Sequence, residues 1–180
     1  MNRRQLEHLI RAASTISEDD EIIIVGSQAI LGTHPDAPAE LLVSNEADLY
    51  PKNLPERSDL IDGSIGELSP FHHAFGYYAQ GVAEGTAVLP KGWRDRLVPI
   101  STPATRGATG WCISVADLVV SKYVAGREKD RSYVRAAFAH GLVDDDEILA
   151  LLAVTPIDAD HRRLLETLVR VDAKAVTTTG

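Results

Sequence analysis

Two acidic residues with one residue between them have the type and spacing that metal-assisted catalysis requires. Glu46 and Asp48 lie in a predicted extended segment, where side chains two positions apart share one face at a separation of about 7 Å. Two such carboxylates are able to share or bridge a divalent cation, and Mg²⁺ completes its octahedron with water and substrate phosphates. The pair therefore predicts a magnesium site suited to phosphoryl or nucleotidyl transfer.

A glycine and a serine end the preceding predicted strand. Residues 21–25 (EIIIV) form a β-branched run typical of a buried strand, and Gly26 and Ser27 follow it directly. Glycine allows close approach of the backbone to a phosphate, and the serine hydroxyl is able to donate a hydrogen bond. A helix opening over residues 28–31 would direct its amides at the same anion. We therefore predict phosphate binding at Gly26 and Ser27.

Each of these patterns also has a plainer interpretation. A Gly-Ser turn after a strand is common, and two acids spaced in this way usually mark a solvated strand face. An interpretation in which Glu46 and Asp48 are merely exposed therefore stays open beside the magnesium site.

In their order along the chain, these residues resemble the nucleotidyltransferase superfamily. Its signature is an apolar residue followed by Gly-Gly or Gly-Ser, and then a strand bearing Asp/Glu-x-Asp/Glu. Residues 25–27 (VGS) and 46–49 (EADL) are similar to it. Residues 115–122 (VADLVVSK), followed by 125–130 (AGREKD), are similar to the second motif of the abortive-infection and MenT-type toxin branch.

The resemblance implies an activity and a set of partners. The chain would transfer a nucleotide from an NTP to an acceptor hydroxyl, with Ser27 on the triphosphate and with Glu46 and Asp48 as Mg²⁺ ligands. By the same resemblance tRNA is an acceptor, and the biology is a toxin–antitoxin system with an antitoxin protein as partner. The alternative is a catalytically inactive relative that keeps the fold as a binding or partner protein.

The second motif supplies basic residues and one more acid. By resemblance Lys122 would lie against the phosphates, and Asp130 would support it or act as a further acid near the metal. From the residues alone, Lys122 is also consistent with an ordinary exposed helix face. The mixed charges of residues 127–131 are typical of a solvated helix start, although Arg127 is also a candidate for contacting an RNA or nucleotide phosphate.

The strands and helices predicted around these residues indicate an α/β fold, with a small mixed, twisted sheet and a helical C-terminal part. We expect a sheet domain over residues 1–114 and helices over 115–180, packed as a single compact unit. The active-site cleft would lie between the face bearing Glu46 and Asp48 and the helix bearing Lys122. The predicted strands are 21–25, 41–50, 77–82, 87–89, 97–100 and 111–113, with 77–82 and 87–89 forming a hairpin. The predicted helices are 2–15, 56–67, 115–125, 130–140, 144–153 and 158–174.

Two adjacent histidines invite a metal interpretation that we consider less favoured. Taken as part of an extended stretch, His72 and His73 would face opposite ways and would not easily bind one ion. We expect a structural or substrate-contact role for them.

Composition narrows the class of protein further. The net charge of −8 over 180 residues argues against broad DNA or RNA binding, in which phosphate neutralisation supplies most of the affinity. No apolar run is long enough to span a bilayer, and the first residues lack the apolar core of a signal peptide. With a single cysteine, Cys112, we expect a cytoplasmic protein without an internal disulfide.

Overall fold

A five-stranded mixed sheet forms the centre of the fold, which confirms the α/β class predicted from the sequence. The computed structural model describes residues 1–177. In chain order the strands are β1 (Glu21–Ile24), β2 (Glu46–Pro51), β3 (Tyr78–Gly81), β4 (Val98–Ile100) and β5 (Thr109–Cys112). Their order across the sheet is β3-β2-β1-β5-β4.

The register of the sheet decides which side chains share a face. β1 and β2 are antiparallel with Ile24 opposite Leu49, and β1 runs parallel to β5. β2 and β3 are parallel, with Glu46 opposite Tyr78 and with Asp48 opposite Gln80. β4 pairs antiparallel with β5 at the other edge. The edge strand β3 thus places Tyr78 beside Glu46 and Gln80 beside Asp48.

The two faces of β2 differ in polarity. Ala47 and Leu49 are fully buried, whereas Glu46 and Asp48 are half-buried. This alternation is the one predicted from the spacing of the acids, because strand side chains change face at every residue. Helices α1 (Arg3–Ser17) and α2 (Ser58–Ile65) contact β2 and β3, and Leu6, Leu9 and Ile10 of α1 are fully buried.

The prediction of a hairpin after Tyr77 is wrong. β3 runs parallel to β2, and a short 3₁₀ helix, Glu84–Thr86, follows it instead of a returning strand. Parallel neighbours require a long crossover, and α2 with a second short helix, α3 (Pro70–Phe75), forms that connection. The extended segment predicted over 41–50 also begins later than expected, since Ala39–Leu41 is a 3₁₀ helix and β2 starts at Glu46.

The chain divides into two compact units. The first comprises Met1–Ala87 and Arg96–Ser114 and contains the whole sheet. The second comprises Val88–Asp95 and the described chain from Val115 onward.

The second unit is helical, as the sequence predicts. Within the described residues its helices are α4 (Val115–Ala125), α5 (Glu128–Ala139), α6 (Asp145–Ala153) and α7 (Ala159–Thr177). α4 packs against α5 and α6, and α7 also packs against α5 and α6. None of the helices described within residues 1–177 has the length and apolar character needed to cross a membrane.

Candidate functional site

The Gly-Ser bend lies directly beside β2. Beyond the last residue of β1, the Val25 N–H donates to the Asp48 carbonyl at 3.0 Å. Gly26 then precedes a 3₁₀ helix, Ser27–Gly32, whose first turn is closed by the Ala29 N–H on the Gly26 carbonyl. The predicted helix is therefore only six residues long and of 3₁₀ type. Since so short an element aligns few peptide dipoles, any phosphate here would depend on the bend and the Ser27 hydroxyl.

Side chains from two directions hold this 3₁₀ helix in place. The Arg3 guanidinium of α1 donates to the Leu31 carbonyl and pairs with Glu7 at 3.2 Å. Gln28 is fully buried and donates to the Ser44 carbonyl at 3.2 Å, just before β2 begins. The bend is thus fixed to both α1 and the approach to the acidic strand.

The Asp48 carboxylate fills the space beside Gly26. A Cβ built on Gly26 would lie 1.8 Å from Asp48 Oδ2 and 2.9 Å from Asp48 Cβ. A side chain at position 26 would have to displace the Asp48 carboxylate or the bend, so glycine is the residue that allows this close approach. The structure therefore brings an acidic oxygen against the bend, as the combination of the two sequence patterns requires.

Tyr78 of the neighbouring strand contacts the other acid. Its hydroxyl donates to Glu46 Oε2 at 3.1 Å. Burial first, and then the charge of Glu46 and the hydrogen bond to it, raise the pKa of Tyr78 to about 12, so the phenol stays protonated and remains a donor. Tyr78 is not among the site residues that the sequence predicts, since the register of β3 on β2 is what places it beside Glu46.

The histidines lie on a helix and not on a strand, which corrects their predicted placement. His72 of α3 packs its ring on Tyr78 with centroids 4.6 Å apart, and its Nδ1 accepts the Leu68 N–H at 3.0 Å. His73 stacks near His72 at 6.2 Å. His72 therefore supports Tyr78 by packing, while a substrate-contact role for either histidine stays a prediction.

The Glu46 and Asp48 carboxylates suit magnesium better than a metal, such as zinc, that takes most of its ligands from the protein. Within residues 1–177 there is no group of three or more His, Cys, Asp and Glu side chains placed to hold a metal ion. Zinc sites normally use three or four protein ligands, whereas Mg²⁺ needs only one or two carboxylates when phosphates complete its shell. Glu46 and Asp48, next to a cradle that any Cβ would fill, fit that smaller requirement.

A buried ion cluster forms in the second unit around Asp130. Lys122 Nζ lies 3.0 Å from Asp130 Oδ1, and Arg127 Nε lies 2.7 Å from Oδ2. Lys122 is only 8% exposed, with its ammonium 4.3 Å from the Tyr133 ring centroid. The interpretation of Lys122 as an ordinary exposed residue is therefore wrong.

The charge state of Asp130 follows from two opposing effects. Burial would raise the pKa of this fully buried carboxyl, but hydrogen bonds and charges from Arg127 and Lys122 outweigh burial and hold the pKa below its ordinary value. Two cations thus contact one ionised carboxylate.

The predicted site residues therefore gather in two places. Their meeting on one nucleotide stays a prediction, as do their individual roles. The first unit brings together Gly26, Ser27, Glu46 and Asp48, and the second brings together Lys122, Arg127 and Asp130.

A family comparison identifies the general class of this molecule. The family model described as "Nucleotidyltransferase of unknown function (DUF6036)" matches residues 4–171. The chain belongs to this family. No curated protein and no solved structure matches the chain. Membership in this nucleotidyltransferase family confirms the superfamily that the motifs resemble, while the abortive-infection and MenT-type branch stays a prediction.

Proposed function

We propose that the chain transfers a nucleoside monophosphate from an NTP to an acceptor hydroxyl, with Glu46 and Asp48 as its magnesium ligands. The observation that carries the proposal is the approach of Asp48 Oδ2 to the Gly26 bend, where a Cβ would come within 1.8 Å. An acid this close to the bend supports a cation shared between Asp48 and a phosphate held by the bend. When bound, Mg²⁺ would neutralise phosphate charge and orient the leaving pyrophosphate.

The protein's own groups would divide the remaining tasks. The Ser27 hydroxyl and the backbone of the bend would hold the triphosphate. Lys122 offers a compact ammonium with three donors, which suits a phosphate. Arg127 is 62% exposed at its side chain, so its remaining guanidinium donors suit a nucleotide or RNA phosphate. Asp130 would keep Lys122 in position.

The acceptor that we propose is tRNA, and the biological role is that of a toxin neutralised by an antitoxin protein in the cytoplasm. This part of the proposal is supported by the resemblance of residues 115–130 to the toxin branch. The net charge of −8 indicates that recognition would depend on a local basic site and not on general attraction to nucleic acid.

Labelled nucleotides test the transfer reaction directly. The chain is incubated with each α-³²P-labelled NTP, Mg²⁺ and total RNA, and labelled RNA is followed on a gel. Wild type should label RNA, and Asp48→Asn should lower the labelling at least about 100-fold by removing a charge needed in the transition state. The matched control is Asp36→Asn, which neutralises an exposed acid and should label like wild type. Equal labelling by Asp48→Asn would refute the metal role.

A catalytically inactive binding protein is the second candidate. Its supporting observation is that Tyr78 and Gln80, and no further carboxylate, stand opposite Glu46 and Asp48 on β3. Thermal unfolding with each NTP and Mg²⁺ tests nucleotide binding, since a ligand at about 100 times its Kd adds about 2.7 kcal/mol of stability. A shift without labelled product favours a nucleotide-binding module, and no shift with any NTP favours a partner protein.

A further inference from the structure

We propose that Tyr78 is a positioning residue that fixes Glu46 as a single-oxygen ligand for the cation. The inference rests on the proposed function, because it concerns the metal site assigned there. Tyr78 adds a side chain from β3 to the proposed site formed by the Gly26 bend and β2.

The parallel register makes the contact specific. Tyr78 and Glu46 are direct partners on β3 and β2, so their side chains leave the sheet on the same face. The phenol donates to Oε2 at 3.1 Å, and a hydroxyl provides only one hydrogen. One carboxylate oxygen is therefore engaged by Tyr78, which leaves Oε1 to bind the cation in a fixed orientation.

Tyr78 is itself held by the first turn of α3. The His72 ring packs against the Tyr78 ring, while His72 Nδ1 accepts the Leu68 N–H. The His72 N–H donates in turn to Ser69 Oγ at 3.1 Å, the side-chain cap of this helix. The orientation of Glu46 thus depends on a supported side chain, which is how residues around a metal ligand commonly tune the metal.

The preceding tyrosine provides a matched control on the opposite face. Tyr77 Oη lies 2.8 Å from His8 Nδ1 of α1 and packs near the rings of Phe71 and Phe75. Replacing Tyr77 or Tyr78 by Phe removes one hydroxyl at neighbouring positions. Only the Tyr78 hydroxyl contacts a proposed metal ligand.

Mn²⁺ binding tests the inference without relying on activity. Free Mn²⁺ is measured by electron paramagnetic resonance during titration of the full chain, with thermal unfolding confirming that each variant is folded. Y78F should bind Mn²⁺ about 10-fold or more weakly than wild type, the usual cost of losing a support for a metal ligand, and Y77F should bind like wild type.

Three results would overturn the inference, and they differ in meaning. Y78F binding as tightly as wild type would show that the hydroxyl does not position Glu46. Equal weakening in Y77F would show a general effect on the β3 edge. Absence of Mn²⁺ binding by folded wild type, with and without NTP, would instead overturn the proposed function on which the inference rests.

Discussion

Gly26 and Asp48 fit against each other so closely that a methyl group on Gly26 would overlap the Asp48 carboxylate. A Cβ there would lie 2.7 Å from Asp48 Cγ as well as 1.8 Å from Oδ2. Val25 also donates to the Asp48 carbonyl, so backbone pairing holds both residues close together. A side chain at position 26 would therefore displace either the bend or the Asp48 carboxylate.

Gly26→Ala should therefore lower nucleotide transfer strongly, while the chain still folds. Either the bend or the Asp48 carboxylate must move by more than 1 Å, and a misplacement of that size costs about 100-fold in rate. We expect nucleotide transfer to fall by at least about that factor, as measured by RNA labelling at saturating NTP.

Gly63→Ala is the control for this substitution. Gly63 lies in α2, and a Cβ there would meet nothing within 4 Å. Because alanine is favoured over glycine in a helix by about 1 kcal/mol, this variant should be slightly more stable and fully active. Full activity of Gly26→Ala would contradict the close fit.

Lys122→Met should destabilise the protein by about 3 kcal/mol. The substitution leaves the fully buried Asp130 carboxylate with only Arg127, whose side chain is largely exposed, and breaking a buried ion pair on one side typically costs about 3–5 kcal/mol. Urea unfolding at neutral pH measures the change. Lys129→Met removes the same charge from an exposed position nearby and should change stability by less than about 0.5 kcal/mol. A similar small change for both variants would show that the cluster contributes little.

Local patterns in the sequence predict a large part of the first unit. The run EIIIV predicts β1, the spacing of Glu46 and Asp48 predicts their shared face, and Gly26 marks the bend. These features depend on neighbours within a few residues, and the side-chain period of a strand is fixed. The sequence could therefore indicate which acids face the same way and what precedes them.

The sequence does not predict contacts between segments that are far apart along the chain. Tyr78 and Glu46 are 32 residues apart, and their pairing follows from a parallel register that no local pattern encodes. α3 is different, because Ser69 before Pro70 and Gly76 after Phe75 are ordinary start and stop signals of a helix. Those signals indicate a helix, and not an extended segment, at His72 and His73.

The Asp130 cluster shows the same division within the second unit. The sequence predicts the break between α4 and α5, where Gly126 has φ of +65°. It leaves an exposed helix face open for Lys122, because local apolar neighbours do not show which way the ammonium points. The partner of Lys122 lies eight residues further on, so both its burial and its pairing required the structure.

Acid should weaken the protein partly through Asp130. Its pKa is held below the ordinary value by Arg127 and Lys122 in spite of burial, whereas in the unfolded chain an aspartate takes up its proton near about pH 3.9. As pH falls through that value the unfolded state therefore binds more protons than the folded state. The stability from Asp130 is complete above this range and is lost as pH falls toward the lowered pKa.

Asp130→Asn isolates this contribution. The variant cannot titrate at position 130, so its free energy of unfolding should change less steeply than that of wild type between about pH 5 and pH 3. Urea unfolding at several pH values gives the free energy of unfolding of wild type and variant as a function of pH. The pKa of Asp19 is also lowered by its hydrogen bonds in spite of burial, but Asp19 is present in both proteins and contributes equally to each curve. Parallel curves would mean that the carboxyl titrates alike in the folded and unfolded chains.

Glu46→Asp tests whether Tyr78 acts through Glu46. Shortening the side chain by one methylene withdraws the carboxylate from Tyr78 Oη, now 3.1 Å away, and misplaces a proposed ligand. Nucleotide transfer should fall about 10- to 100-fold. In the double variant with Tyr78→Phe, transfer should fall little further, since the hydroxyl has already lost its acceptor and energies of residues in contact do not add.

The double-mutant comparison also distinguishes a catalytic linkage from simple support of the sheet edge. If Tyr78 merely stabilised β3, its effect on transfer would multiply with that of Glu46→Asp, because the two losses would be independent. Combining Glu46→Asp with Tyr77→Phe, which removes a hydroxyl on the opposite face, should leave the effect of Glu46→Asp unchanged. Equal coupling for both tyrosines would place the effect in the strand and not in the hydrogen bond to Glu46.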